Sequence, residues 1–455
     1  MKPCMAGPTV WSEFSALATE TGAINLGQGF PNWEPPDFVI SSAHKSLDGG
    51  FNQYTRTAGH PLLVTLLAKR YSMHFRRHVD PFNEVAVTIG ASQALYVTFM
   101  AILSPGDEVV LFEPFFDLYL GQIRMAGGVV KSVPLKVEEG EWQLDVARLR
   151  SAVTPKTRAV VVNTPHNPTG KVFTREELEE IAGVVRDNPR LLVVSDEVYK
   201  YMVYSGTDQD EPREEAPAEE GLGAVLAGGL VPPLRHVHFS TLPGMGNRTV
   251  TVSSAGKTFS VTGWQVGWVV GPKRVVQEIQ RTLPYMQFCV STPLQAAMCD
   301  VLIQAERPYK GHPDYYNWLC HQYAEKRARL EAILNTVGIP TLKGEGGFFI
   351  IGDVSSIQVP EDYLTQGTPA MPVMVKDWAF CRWMAKEHGL VAIPTSAFFS
   401  AESREAGIGD GLVRFCFCKT DETLSKASEA LRNMARSQAR IEPTLLRARE
   451  GVGAS

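Results

Sequence analysis

The chain has 455 residues, enough for two domains with a cleft between them, and its apolar and charged fractions of 44% and 20% are those of an ordinary globular protein. A net charge of -5 argues against a nucleic-acid or anionic-membrane footprint, so small metabolites are the expected ligands. No apolar run has the length of a membrane span, the N-terminus lacks a signal-peptide core, and seven scattered cysteines without CxxC spacing read as reduced thiols, so a cytoplasmic location is expected.

Taken in chain order, apolar strands alternate with amphipathic helices from about Glu84 to Gly271. Strands are predicted over Val85–Ile89, Glu108–Phe112, Val129–Val133, Arg158–Asn163, Leu191–Asp196, Thr249–Ser253 and Val266–Val270, and helices over Ala91–Leu103, Leu144–Ser151 and Thr174–Asp187, the last opened by a Thr174/Glu177 capping box. Continuous Val/Leu strands separated by helices predict an α/β fold, its mainly parallel sheet covered on both faces. The expected large domain is 49–316, with 1–48 and 317–436 forming a smaller α/β domain from both chain ends. An acidic, Pro- and Gly-rich stretch at about 205–233 reads as a solvated insertion, and 437–455 as a loose tail.

Several turns carry polar groups suited to chemistry, each with a plain structural alternative. Ile89-Gly90-Ala91-Ser92-Gln93 supplies a strand, a glycine turn and a helix start, an arrangement that binds phosphate through backbone N–H groups but is common without one. Glu113-Pro114-Phe115-Phe116 offers an aromatic face for a ring, with core packing the preferred reading of Phe116. In Asn163 to Gly170, Pro168 stiffens a turn from which Asn167 can present its amide. Asp196 ends a strand at the carboxyl edge of the sheet, where it is either a helix cap or the acidic partner of a ring nitrogen, with Tyr199 three residues on.

Ser254-Ala255-Gly256-Lys257-Thr258 follows the next strand. A partly desolvated lysine there has a depressed pKa and can form a Schiff base with a carbonyl cofactor such as pyridoxal phosphate; a surface lysine is the alternative. Arg414 lies in the apolar run Leu412–Cys418, where it needs either a buried ion-pair partner or a ligand carboxylate. Cys416 and Cys418 fall on one face of that run and read as packing, with no metal expected.

Together these pieces resemble the class I, fold-type I pyridoxal-phosphate aminotransferases, and within them the kynurenine aminotransferase, glutamine transaminase K and cysteine-S-conjugate β-lyase group. The motifs that carry the resemblance are Asn25 to Pro31, Asn52 to Arg56, Glu113 to Asp117, Asn163 to Gly170, Ser195 to Tyr199, the Lys257 stretch and Arg414 to Phe417. The resemblance implies pyridoxal 5′-phosphate carried on Lys257, which also shuttles the proton, with Asp196 at the pyridinium, Asn167 and Tyr199 at the ring oxygen, and Phe115 stacking on the ring. It implies Ala91, Gln93 and Ser254 at the phosphate, Tyr54 reaching over from the second subunit of a homodimer, and Gly29, Asn167 and Arg414 at the substrate carboxylate. Trp11 and Phe288 would line the side-chain pocket for aromatic, sulfur-containing or glutamine-like donors, kynurenine among them, with β-lyase chemistry on substrates bearing a leaving group at Cβ.

Three positions depart from the family pattern: Gln265 where Arg or Lys is usual, which takes a positive charge from the phosphate cup, His166 in place of an asparagine, and Cys289 in place of a histidine. A regulatory protein that binds the cofactor without transaminating, or a decarboxylase or synthase, would share the same fold.

Overall fold

The computed structural model describes residues 8–204 and 236–451, with side chains as far as residue 438. Seven strands, β1 (Val85–Ile89), β2 (Glu108–Glu113), β3 (Val129–Pro134), β4 (Thr157–Asn163), β5 (Leu192–Asp196), β6 (Thr249–Ser254) and β7 (Val266–Val270), form one sheet in the order β1-β7-β6-β5-β4-β2-β3. Only β7 runs against its neighbours. Each predicted strand lies within a residue of its observed bounds at either end, because both faces of the sheet are covered and each strand is therefore a short, continuous apolar run.

Alternation divides the side chains between two cores. Val109 and Leu111 point into one cluster with Val97, Phe99 and Ile279, while Val110 and Phe112 point into another with Val160, Phe173 and Ile181. Helix α1 spans Val10–Thr21, α2 spans Gly90–Ile102, and α3 spans Arg175–Asp187 with the reciprocal Thr174/Glu177 cap in place.

The two ends of the chain meet. Ile24–Asn25 pairs in parallel with Leu390–Val391, and β8 (Phe349–Asp353), β9 (Ile393–Pro394) and β10 (Leu412–Cys416) make a three-stranded antiparallel sheet in the order β8-β10-β9. Val10, Phe14 and Leu17 of α1 join the same core as Trp378, Val391 and Phe415. The last helix, α4 (Asp421–Gly451), continues through much of the stretch read as a loose tail, so 437–451 is helical. The acidic stretch at 205–233 lies outside the described residues.

Candidate active site

Parallel strands bring their carboxyl ends to one edge, so the residues that end them converge. β4 ends on Asn163, β5 on Asp196 and β6 on Ser254, while β1 turns into α2 at Gly90. Because β7 runs the other way, its start, preceded by Gln265, reaches that same edge. The edge opens into a cleft of about 460 Å³, whose wall is completed by Trp11, Gly29, Phe349 and Arg414 from the chain ends.

Lys257 sits in the single helical turn Ala255–Thr258 directly after β6 and lines the cleft. Its Nζ donates to the Gly29 carbonyl at 2.8 Å and lies 5.4 Å from the centre of the Phe348 ring. Burial lowers its pKa, with Arg414 acting in the same direction and Cys418, Cys416 and Asp196 opposing. A shifted amine of this kind is unprotonated, and so available as nucleophile or base, in a larger fraction of molecules near neutral pH than a surface lysine.

Asp196 is 4% exposed, and burial pushes its carboxyl up from 3.8 to about 6 against the hydrogen bonds that favour ionisation. Oδ2 accepts from the Tyr119 hydroxyl at 2.6 Å, and Oδ1 accepts from the Val198 amide at 3.3 Å. A carboxyl buried this deeply costs free energy to ionise unless a cation stands close to it. Asn163 donates from Nδ2 to the Asp196 carbonyl at 3.0 Å and accepts from the Asn167 amide at 2.8 Å, so it welds two strand ends together. Tyr199 lines the cleft edge-on to Phe348 and Phe349, at 5.1 and 5.7 Å between ring centres.

Arg414 is 1% exposed in β10. Its Nη1 donates to Asn167 Oδ1 at 2.8 Å and its Nη2 to the Gly27 carbonyl at 2.7 Å, leaving Nε buried and unbonded among the described residues. The guanidinium is stacked by Phe349 at 4.4 Å, Phe398 at 5.0 Å and Trp11 at 5.2 Å. Among the described residues no side-chain carboxylate is bonded to it, so the buried ion pair is not formed there and the cation can meet a ligand anion. A Cβ on Gly29 would lie 2.9 Å from the Phe349 ring, which explains the glycine beside this grip.

The opposite end of the cleft is built from backbone and hydroxyls. Gly90 (φ 65°) starts α2, and Ala91, Ser92, Ser254, Thr262 and Gln265 line the space around that helix start. A Cβ on Gly267 would lie 2.3 Å from the Gly90 carbonyl carbon, so β7 meets this turn as closely as backbone allows. Helix start, hydroxyls, buried acid, depressed lysine and partnerless Arg414 Nε fit a phosphorylated pyridine aldehyde and an α-amino acid in one space.

Four expected residues are placed differently. Phe115 is 3% exposed and packs in the sheet core, with its amide bonded to the Phe398 carbonyl at 2.8 Å; Phe116 is the ring that lines the cleft. Gln93 turns back to cap its own helix, Oε1 accepting from the Ile89 amide at 2.7 Å, and does not line the cleft. Tyr54 and Phe288 are stacked on each other at 5.2 Å, 76% and 74% exposed, away from this chain's own cleft. The remaining expected residues, Lys257, Asp196, Asn167, Tyr199, Ala91, Ser254, Gly29, Arg414 and Trp11, line one cleft.

Sequence reasoning missed Tyr119, Asp117 and Phe349. Trp11 Nε1 donates to Asp117 Oδ2 at 2.7 Å across the cleft mouth. Only the Glu113 to Asp117 motif hinted at that region, and nothing local marked Tyr119. His166 is buried, bonded to Thr169 Oγ1 at 2.7 Å and pushed down to about 3 by burial, so it serves the turn rather than a substrate. Glu197, His236 and His238 form a separate buried cluster in which His238 Nδ1 lies 2.5 Å from Glu197 Oε2. Two ligands on a tetrahedral zinc would stand roughly 3.3 Å apart, so that contact has the length of a hydrogen bond.

The profile of the family described as aminotransferase class I and II matches residues 21–431. A kynurenine–oxoglutarate transaminase of Dictyostelium discoideum is 41% identical over 441 residues, covering 93% of this chain and 94% of the relative. Kynurenine–oxoglutarate transaminase 1 of Homo sapiens is 36% identical, covering 93% and 94%. Among solved structures, Bna3p of Saccharomyces cerevisiae superposes with a TM-score of 0.82 at 32% identity, covering 95% of this chain and 97% of that one. YbdL of Escherichia coli, described with a methionine aminotransferase function, gives a TM-score of 0.78 at 31% identity, covering 94% and 97%.

Proposed function

The chain belongs to the class I and II aminotransferases, on the fold-type I α/β architecture, and from that premise we propose that it moves the amino group of kynurenine and of other aromatic, sulfur-containing or glutamine-like amino acids to a 2-oxo acid, with pyridoxal 5′-phosphate as cofactor. The family depends on that cofactor. The reading stands on one juxtaposition: a half-buried amine of lowered pKa, a buried carboxylate and a buried guanidinium, those of Lys257, Asp196 and Arg414, open into the same cleft.

When bound, pyridoxal phosphate supplies a carbonyl for the amino nitrogen and a ring that draws off the electron pair left at the substrate Cα. Arg414, with Asn167 beside it and Gly29 leaving room, holds the α-carboxylate and fixes which bond at Cα is exposed. Lys257 Nζ is the base that takes the Cα proton and returns it, its depressed pKa keeping a fraction of the amine unprotonated. Asp196, steadied by Tyr119, would supply negative charge to the ring nitrogen, and Tyr199 with Asn167 would hold the ring oxygen. Phe116 would pack on the ring, while Ala91, Ser92 and Ser254 would hold the phosphate. Trp11 closes over the substrate side chain, and β-lyase chemistry follows on donors with a leaving group at Cβ.

The two chain ends, 1–48 and 317–436, form a small domain that meets the larger 49–316 unit at the cleft. The exposed aromatics Tyr54, Tyr285 and Phe288 form the face covered by a second copy, whose own Tyr54 and Phe288 complete this site; Tyr285 is 92% exposed. A cytoplasmic location is the one proposed, in keeping with the free thiols of Cys381, Cys416 and Cys418. Among the described residues no helix is long and apolar enough to cross a membrane.

The test is to purify the protein with pyridoxal phosphate, record its visible absorption, and supply kynurenine, glutamine or methionine with a set of 2-oxo acids. An absorption band that bleaches with the donor and yields the corresponding oxo acid is expected. A band without oxo-acid product would favour a regulatory or non-transaminating protein, and no band would sink the cofactor.

A further inference from the structure

The cleft has two ends of very different charge. Among the described residues lining it, the only Lys and Arg side chains are Lys257 and Arg414. Both are committed elsewhere, Lys257 to the Gly29 carbonyl and Arg414 to Asn167 and the Gly27 carbonyl. The helix-start end is lined by Gly90, Ala91, Ser92, Ser254, Thr262 and Gln265, none of them charged.

Gln265 sets this. It is in the left-handed region (φ 52°, ψ 44°), and its carbonyl accepts from the Gly90 amide at 2.7 Å, which presses its side chain against the first turn of α2. Its Nε2 is spent on the Thr262 carbonyl at 2.6 Å, and its Oε1 stands 2.5 Å from where a Cβ on Gly90 would be. The position that overlooks the helix start thus carries a neutral amide bonded to its own turn.

Resting on the cofactor reading above, we propose that this protein holds the cofactor phosphate in an uncharged cup, by backbone N–H groups and hydroxyls alone, so that the bound phosphate takes up a proton near neutral pH and the cofactor exchanges with solution. A helix N-terminus supplies about half a positive charge, against the full charge of a lysine or arginine. A phosphate ester titrates near pH 6 in water, and an adjacent cation lowers such a pKa by about 1–3 units. Without that cation the second ionisation stays within the working range. A charge-assisted hydrogen bond contributes about 1.5–3 kcal/mol, so its absence weakens cofactor retention about tenfold or more.

Two measurements test this on the full-length protein loaded with pyridoxal phosphate. The ³¹P resonance of the bound phosphate is followed from pH 5 to 8, and cofactor affinity is measured by absorbance titration of the cofactor-free protein at several salt concentrations. The native resonance is expected to move with pH. Gln265→Lys is expected to hold it fixed, to tighten binding about tenfold or more at low salt, and to lose part of that gain as salt rises. A native resonance that is bound but independent of pH, as a cation from the partner subunit would make it, overturns the proposal while leaving the cofactor reading intact. So does a Gln265→Lys protein whose affinity is within twofold of native. A native protein with neither absorption band nor bound resonance overturns both. The native resonance alone decides the matter if the variant does not fold.

Discussion

Trp11 and Asp117 meet across the mouth of the cleft, and the 2.7 Å bond from the indole joins α1 to the turn after β2. Burial raises the Asp117 carboxyl, with the Trp11 bond and the nearby Arg414 pulling the other way. Trp11→Phe keeps a ring against Arg414 and removes the tether. A hydrogen bond to a charged group is worth about 1.5–3 kcal/mol, so the expected result in steady-state kinetics is a KM for aromatic donors up about tenfold, with kcat changed much less. Asp196→Asn preserves shape and removes the charge beneath the ring, and single-turnover rates are expected to fall about a hundredfold or more. That Lys257, Asp196, Asn167 and Arg414 belong to one cleft was legible because each is a polar letter set where an apolar or small one is the rule. Phe115 and Phe116 were not distinguishable by that logic. Two adjacent identical rings differ only in which faces the core, and the bond from the Phe115 amide to Phe398, nearly three hundred residues away, decides it.

At the level of elements, Gly267 lets β7 pass under the start of α2. Gly267→Ala places a Cβ against the Gly90 carbonyl carbon and oxygen at 2.3 and 2.5 Å, backbone atoms that cannot rotate aside. Overpacking of this kind costs about 1–3 kcal/mol, and here it also tilts the phosphate end, so a lower Tm together with weaker cofactor binding is expected. Asp377 shows what a helix start does when no water reaches it. Fully buried, it accepts from the Trp378 amide at 2.8 Å and the Ser396 amide at 2.7 Å, pinning the turn that carries Phe398; burial nevertheless pushes its carboxyl from 3.8 to about 7, with Asp410 adding to the push. Between about pH 4 and 7 the folded chain therefore keeps a proton that the unfolded chain has released, and this group's contribution to stability falls as pH rises through that window, by on the order of 4 kcal/mol as a ceiling. Asp377→Asn is expected to flatten that slope in denaturant titrations at pH 4.5 and 7.5. The strands themselves could be read from the letters to within a residue because burial on both faces makes them unbroken apolar runs. The small sheet could not, since β9 is two residues long and exists only through its pairing with β10.

On the scale of the whole molecule, a chain that leaves Tyr54, Tyr285 and Phe288 in water is expected to be a dimer by sedimentation. Its sites are expected to be shared: mixing Lys257→Ala and Tyr54→Ala subunits, each inactive alone, should restore about a quarter of native turnover through hybrids with one intact site. The meeting of the chain ends carries a different kind of consequence, one of timing. Ile24 pairs with Leu390, so the short strand that anchors the N-terminal segment has no partner until most of the protein has been synthesised. At 5–20 residues per second that wait is roughly 20–70 s, long enough for the seven-stranded sheet to assemble on the ribosome while Val10, Phe14 and Leu17 remain uncovered. Helix α1 is thus made long before its core partners Trp378, Val391 and Phe415 and settles late, and during that interval its apolar face is a surface on which a chaperone would act.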